Sequence, residues 1–244
     1  MTASVRSRPS TKRRLPARAP QRPEDRVREE IHHAIADGRL PPGTRLPEEH
    51  VAEVFGVSRA RARVALQELA HDKVVVLEPN RGAFVAKPSP EEARQIFAAR
   101  RLIEVALAPA VVDSLDEAAL AHLRAHVTLE RETELAPNRY RGLKTSHDFH
   151  MQVARLAGNS VVEGFLAELL VRSALVTAIY ERPGVEHCSH AIHAHLVDIL
   201  ERRDADAFGA ALAEHLDEIE THLDLVEPVE REVDLKTLFR SPRG

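Results

Sequence analysis

From Pro23 onward, apolar residues fall into recognisable periods. Val27, Ile31, Ala34 and Ile35 recur at helical spacing, and Gly38 ends the run as a C-terminal cap. A Pro/Gly-rich stretch, Leu40 to Pro47, then leads into a second helix. That helix carries Val51, Ala52 and Phe55 on one face and closes at Gly56. Ser58 stands as the N-cap of a third helix, Arg59 to His71. Two β-rich runs, Lys73–Leu77 and Ala83–Ala86, flank the turn Glu78-Pro79-Asn80-Arg81-Gly82 and predict a hairpin.

After Lys87-Pro88-Ser89-Pro90 the pattern changes. Helical periods run roughly over 91–113, 116–135, 139–157, 159–181, 189–202 and 204–226, with no strand signal among them. Gly158-Asn159 and Asp204 mark breaks or caps. The expected fold is mainly α: an N-terminal winged helix-turn-helix of three helices plus a β-hairpin, then an all-α bundle of six or seven helices. The expected boundaries are a disordered basic tail over 1–22, the winged helix-turn-helix over 23–87, and a linker over 88–92. An all-helical effector-binding and dimerisation domain follows over 93–228, with a loose tail over 229–244.

Composition sharpens this division. Aromatics are only 4% and Trp is absent, so the core must be built from Ala, Leu, Val and Ile, which favours helices. The single cysteine, Cys188, excludes an internal disulfide and fits a reducing cytoplasm. No run of about 18 apolar residues occurs, so no membrane span is expected. The net charge of −4 conceals an asymmetry: residues 1–90 carry +6 and residues 91–244 carry −10. One half suits a polyanion and the other does not. The tail up to Arg22 supplies 7 of the positive charges, however, and without it the first module is nearly neutral. Charge alone therefore does not carry the assignment.

The third helix carries more. At 100° per residue, Arg59, Arg63 and Gln67 fall within about 80° of one another, beside an apolar stripe of Ala62, Leu66 and Leu69. A helix fits the major groove, and Arg bonds guanine bidentately, so this face suits base readout. Arg61 lies elsewhere on the wheel, close enough to the helix N-terminus to meet a phosphate. The stretch DGRLPPGTRLPEEHVAEVFGVSRARARVALQEL, followed by EPNRGAFV, resembles the GntR family of bacterial regulators from Arg26 to Val85. That resemblance implies DNA contacts from Ser58, Arg59, Arg61 and Arg63, with Arg81 and Gly82 at the wing tip in or near the minor groove. The chain departs from the family's common pattern at Arg61, where Pro is usual, at Val64, where Glu is usual, and at His50.

Eight of the 14 histidines lie between His147 and His222. Neutral imidazole ligates transition metals, although histidine is also an ordinary helix residue. Arg101 and Glu104, then Ser146-His147-Asp148-Phe149-His150 with Gly158-Asn159, then His193 with Asp204, then His215, resemble the FCD-type domain of FadR-like GntR regulators. The resemblance covers roughly residues 93–222. It implies a divalent metal held by His150, His193 and His215, with Ser146 standing where the family has a fourth, acidic ligand. Three readings stay open: a metal on three histidines completed by water, Ser146 or His147; a metal-free pocket in which the histidines meet an effector directly; or structural histidines. A nitrogen-rich site suits Zn²⁺ or Ni²⁺ better than Mg²⁺. Arg101 is a candidate for pairing with an anionic effector in fork geometry, its alternative being a salt bridge within its helix.

The expected function is a DNA-binding transcriptional regulator, not an enzyme. Its partners would be double-stranded operator DNA, a small organic or sugar acid, and a second copy of the chain, since two recognition helices must address half-sites at fixed spacing. The alternative is a metal-dependent hydrolase with a DNA-binding appendage, but no His-Glu-x-x-His motif occurs and no general base is marked.

Overall fold

Most of the longer helices begin where a short polar side chain can satisfy a first-turn amide. A computed structural model describes residues 22–135, 138–182, 190–227 and 233–240. The head opens with α1 (Pro23–Ala36), then β1 (Arg45–Leu46), α2 (Glu48–Phe55), α3 (Arg59–His71), β2 (Val75–Glu78) and β3 (Gly82–Val85). Ser58 Oγ accepts from the Arg61 amide at the start of α3. Gly56 closes α2 in the left-handed region, which costs a glycine nothing.

The expected hairpin is present, and a third strand joins it. β3 pairs antiparallel with β2 on one side, Val76 opposite Phe84, and with β1 on the other, Arg45 opposite Phe84. Beneath the sheet and the three helices lies one apolar core containing Val27, Ile31, Leu46, Leu66, Leu69 and Val85.

The sensor is built from α4 (Pro90–Ser114), α5 (Glu117–Glu134), α6 (Arg139–Leu156), α7 (Ser160–Tyr180), α8 (His190–Glu201) and α9 (Ala205–Thr221). Asp116, Asn138, Asn159 and Asp204 each cap the helix that follows. α4 lies against α9 and α7, while α5 packs on α6 and α8. Gly209 of α9 lies against α4, with Val105 and Ala108 as its near neighbours. Among the described residues no helix is long and apolar enough to cross a membrane.

Two boundaries differ from expectation. The linker expected over 88–92 is shorter, because Ser89 caps a helix that already starts at Pro90. The tail expected to be loose over 229–244 contains α10 (Leu235–Arg240). Leu235 is buried, the Phe239 ring packs tilted against Phe55 of α2 with centroids 4.8 Å apart, and Lys236 pairs with Glu53 at 2.8 Å. The expected basic tail lies outside the described residues except Arg22, which pairs with Asp25. Cys188 also lies outside them.

Head and sensor share contacts. Arg139 at the start of α6 donates to the carbonyls of Ala36, Thr177 and Ala178 and pairs with Glu181. One guanidinium thereby ties the end of α1 to the end of α7.

Candidate nucleic-acid interface and histidine centre

Arg59, Arg61, Arg63 and Gln67 are all exposed on α3, while Ala62, Ala65, Leu66 and Leu69 are buried. Arg59, Arg63 and Gln67 share an open groove with Arg81 and Gly82 of the wing, so recognition helix and wing face one space. The wing turns at Asn80 and Gly82, both with positive φ, and Gly82 at +101° is a position only glycine holds without strain.

The cations of this face are not idle. Arg63 donates to both oxygens of Glu48, at 2.7 and 2.8 Å, and Arg59 reaches Glu48 and Glu49. Arg63 holds the Glu48 carboxyl down at about 2. Arg81 pairs with Glu78 in the same way. Arg45 was not singled out from the sequence. It sits on β1 in the same groove, and its Nε donates to the Arg81 carbonyl at 3.0 Å. The signal available was its position in the turn that the third strand later occupies.

In the sensor, His150 of α6, His193 of α8 and His215 of α9 converge, each contributing a ring nitrogen within 4.8 Å of the others. All three are buried, with ring centroids 5.1–5.3 Å apart. Burial pushes the His193 imidazole down to about 3, lowers that of His150, and takes that of His215 well below its ordinary value. The three rings are therefore neutral, the form a metal needs.

Carboxylates orient two of them. Glu104 of α4 meets His150 Nδ1 at 2.6 Å, and Glu130 of α5 meets His193 Nδ1 at 2.8 Å. Burial opposes ionisation of Glu104, but Arg100 and then His150 outweigh it and hold its carboxyl below the usual range. An ionised Glu104 can only accept, so His150 carries its proton on Nδ1 and presents a lone pair at Nε2. That Nε2 is buried and makes no hydrogen bond among the described residues. The donor set thus fits a transition metal, with outer carboxylates placed as they are around ligating histidines generally. Glu130 differs, since burial pushes it up to about 8.

His147 does not join the cluster; it lines the wall of an adjoining narrow cavity of about 40 Å³ together with Ser146, Arg100 and His150. Arg101 is a correction. Its guanidinium pairs with Asp217 and Glu220 of α9 and is absent from that cavity. Arg100, one position earlier and therefore about 100° round the helix, faces it instead. Arg100 Nε donates to Glu104 and Nη1 to Ser173, while the buried Nη2 has no hydrogen-bond partner among the described residues. Asp204 plays no part in the cluster and caps α9.

A helix-and-wing face rich in arginine, joined to a bundle enclosing a nitrogen-rich centre, defines a DNA-binding head on a ligand-sensing domain. Comparison with known proteins makes this specific. The description "Bacterial regulatory proteins, gntR family" matches residues 23–85, and the FCD domain matches residues 95–218. The chain belongs to the GntR family and is a DNA-binding transcriptional regulator with an FCD effector-binding domain. It is 25% identical over 194 residues to the HTH-type transcriptional repressor RspR of Escherichia coli K12, covering 79% of this chain and 83% of that one. It is 23% identical over 224 residues to the Uxu operon regulator of Haemophilus influenzae, covering 84% and 83%. A GntR transcriptional regulator from Rhodococcus sp. RHA1 shares its fold at a TM-score of 0.66 and 25% identity, over 81% of this chain and 95% of that one.

Proposed function

We propose that the chain is a repressor whose hold on its operator is set by a small carboxylate bound beside the three histidines. The observation that carries this reading is Arg100 Nη2, a buried donor with no hydrogen-bond partner among the described residues, on the cavity next to His150. A buried guanidinium with donors to spare suits a carboxylate. His150, His193 and His215 would hold a divalent metal, zinc or nickel by their chemistry. When bound, that ion would supply positive charge and open positions for the effector. With Ser146 where the family has an acid, three neutral rings leave the ion's charge undiminished, which favours an anionic ligand further. His147 and Ser146 would shape the cavity wall.

Ser58, Arg59, Arg61, Arg63, Gln67, Arg81 and Gly82 would contact DNA, with Arg45 beside them. Glu48, Glu49 and Glu78 hold three of these arginines in place until DNA replaces them. Two copies would act together. Leu102 of α4 and Val161 and Phe165 of α7 are exposed on neighbouring helices and offer an apolar face for self-association. Repression is supported by the likeness to RspR, itself a transcriptional repressor.

A thermal-shift screen of small carboxylates and sugar acids tests the effector. A hit should raise the melting temperature of the wild type and leave Arg100→Gln unmoved. An equal shift in both proteins rejects Arg100 as the anchor.

A further inference from the structure

A second cavity, of about 200 Å³, lies between the head and the sensor. Ile35 of α1 and Val74 before β2 form its head-side wall; Leu143 of α6 with Val171 and Leu175 of α7 form the other. For scale, a dry cavity of about 150 Å³ lined by aliphatic side chains holds a benzene ring. Its walls come from both domains, so an occupant would touch α1, which supports the recognition helix, and α7, which also borders the histidine cavity.

Three uncharged side chains with hydrogen-bonding capacity line it, His32, Tyr140 and His147, beside the charged Asp72, Lys144 and Asp148. The His32 ring stacks on Tyr140 at 5.6 Å, yet none of the three makes a side-chain hydrogen bond among the described residues. Burial pushes His32 and His147 down to about 4 and raises Tyr140, so all three are uncharged at neutral pH. The charged groups at the rim are already matched within the chain. Asp72 pairs with Arg28 at 2.8 Å, and Lys144 with Asp148 at 2.7 Å. An anion would find no spare cation here, and a cation no spare carboxylate. An aliphatic space with unused neutral donors and acceptors is the usual make-up of a small-molecule site.

We propose that this interdomain cavity binds a small uncharged single-ring molecule bearing a hydroxyl, gripped between α1 of the head and α6 and α7 of the sensor. The site is separate from the histidine centre and calls for the opposite ligand charge. Arg100 stands in the first cavity and not in the second. His147, Leu143 and Ala174 form the shared wall, so a ligand in one cavity presses on the boundary of the other. Such an occupant would alter operator binding to the extent that it fits one head–sensor arrangement better than another.

Titration calorimetry of the full-length protein with p-cresol tests this, with benzoate as the anionic counterpart. The expected result is one p-cresol site per chain, of equal affinity in chelator-treated and zinc-loaded protein. Val171→Phe, which fills the cavity from α7, should weaken it at least tenfold. His32→Leu keeps the volume but loses the polar anchor, and should weaken it several-fold even if Val171→Phe fails to fold. Benzoate should bind at least tenfold more weakly than p-cresol. Absence of p-cresol binding up to its solubility, or equal binding by wild type and both variants, overturns the site. Benzoate binding as tightly as p-cresol overturns the uncharged class, and p-cresol binding that depends on zinc places the ligand at the histidines instead.

Discussion

The head and the sensor both hold arginine against glutamate at the same distance and use the pair for opposite ends. Arg63 and Glu48 meet at 2.7 Å with the Arg63 side chain 54% exposed; Arg100 and Glu104 meet at 2.8 Å with both side chains 5% exposed. An exposed pair contributes little to stability and exchanges readily with another anion. A buried pair cannot be opened without stranding a charge in a medium that solvates it poorly. The first arrangement keeps a cation ready for DNA. The second fixes a cation, and the histidine beside it, in one geometry.

Breaking the buried pair should have the largest effect. Arg100→Met leaves Glu104 beside neutral histidines with its main cation gone, and should cost about 3–5 kcal/mol of stability by urea unfolding. The exposed pair should behave inversely. Arg59→Ala with Arg63→Ala should change stability by less than about 1 kcal/mol. The same double variant should lose about 100-fold in operator affinity by fluorescence anisotropy, in line with about 1–3 kcal/mol per bidentate base contact. A double variant that keeps sequence-specific binding would break the assignment of α3 as the reading helix.

Acid separates the two regions again. Metal-free protein should lose stability as pH falls below about 6.5, by about 1.4 kcal/mol per pH unit for each buried neutral histidine. The direction follows from the depressed values. In the folded state His193 takes a proton only near 3 and His147 only near 4, so between there and 6.5 the unfolded chain binds more protons. The loss continues down to those folded values. The Glu48 pairs should contribute nothing between pH 7.5 and 5.0, because both the folded carboxyl, held down at about 2, and the free one near 4.5 stay ionised there. Urea midpoints at pH 7.5 and pH 5.0 measure the difference. The smallest effect is expected from Glu48→Gln, which releases Arg59 and Arg63. It should raise nonspecific DNA affinity a few-fold and steepen its dependence on salt.

How legible each region was in the sequence follows from how local its determinants are. The helices of the sensor could be read because their caps lie beside them: Asn159, Asp204 and Asp116 each bond an amide three residues on. β1 could not, since two residues have no period and Arg45–Leu46 is a strand only because β3 runs alongside. α10 is six residues long and gains its helix by resting Phe239 on Phe55, a partner far away in the chain. The adjacent arginines of α4 were the hardest. Arg100 and Arg101 both look like candidates for a pocket, and only the placement of α9 shows that Arg101 belongs to Asp217 and Glu220. Glu104 was visible through its motif, whereas the grip of Glu130 on His193 spans 63 residues and leaves no sequence mark.

The account turns on whether the buried histidines hold an ion while the exposed arginines read DNA. Zinc titration of chelator-treated protein, wild type beside His215→Ala, tests this most directly, with operator binding followed in the same samples. The wild type should take up one zinc per chain and His215→Ala less than a tenth of that, while both retain a head that binds DNA. A wild type that takes up no zinc, or a variant that takes up as much as the wild type, would contradict it.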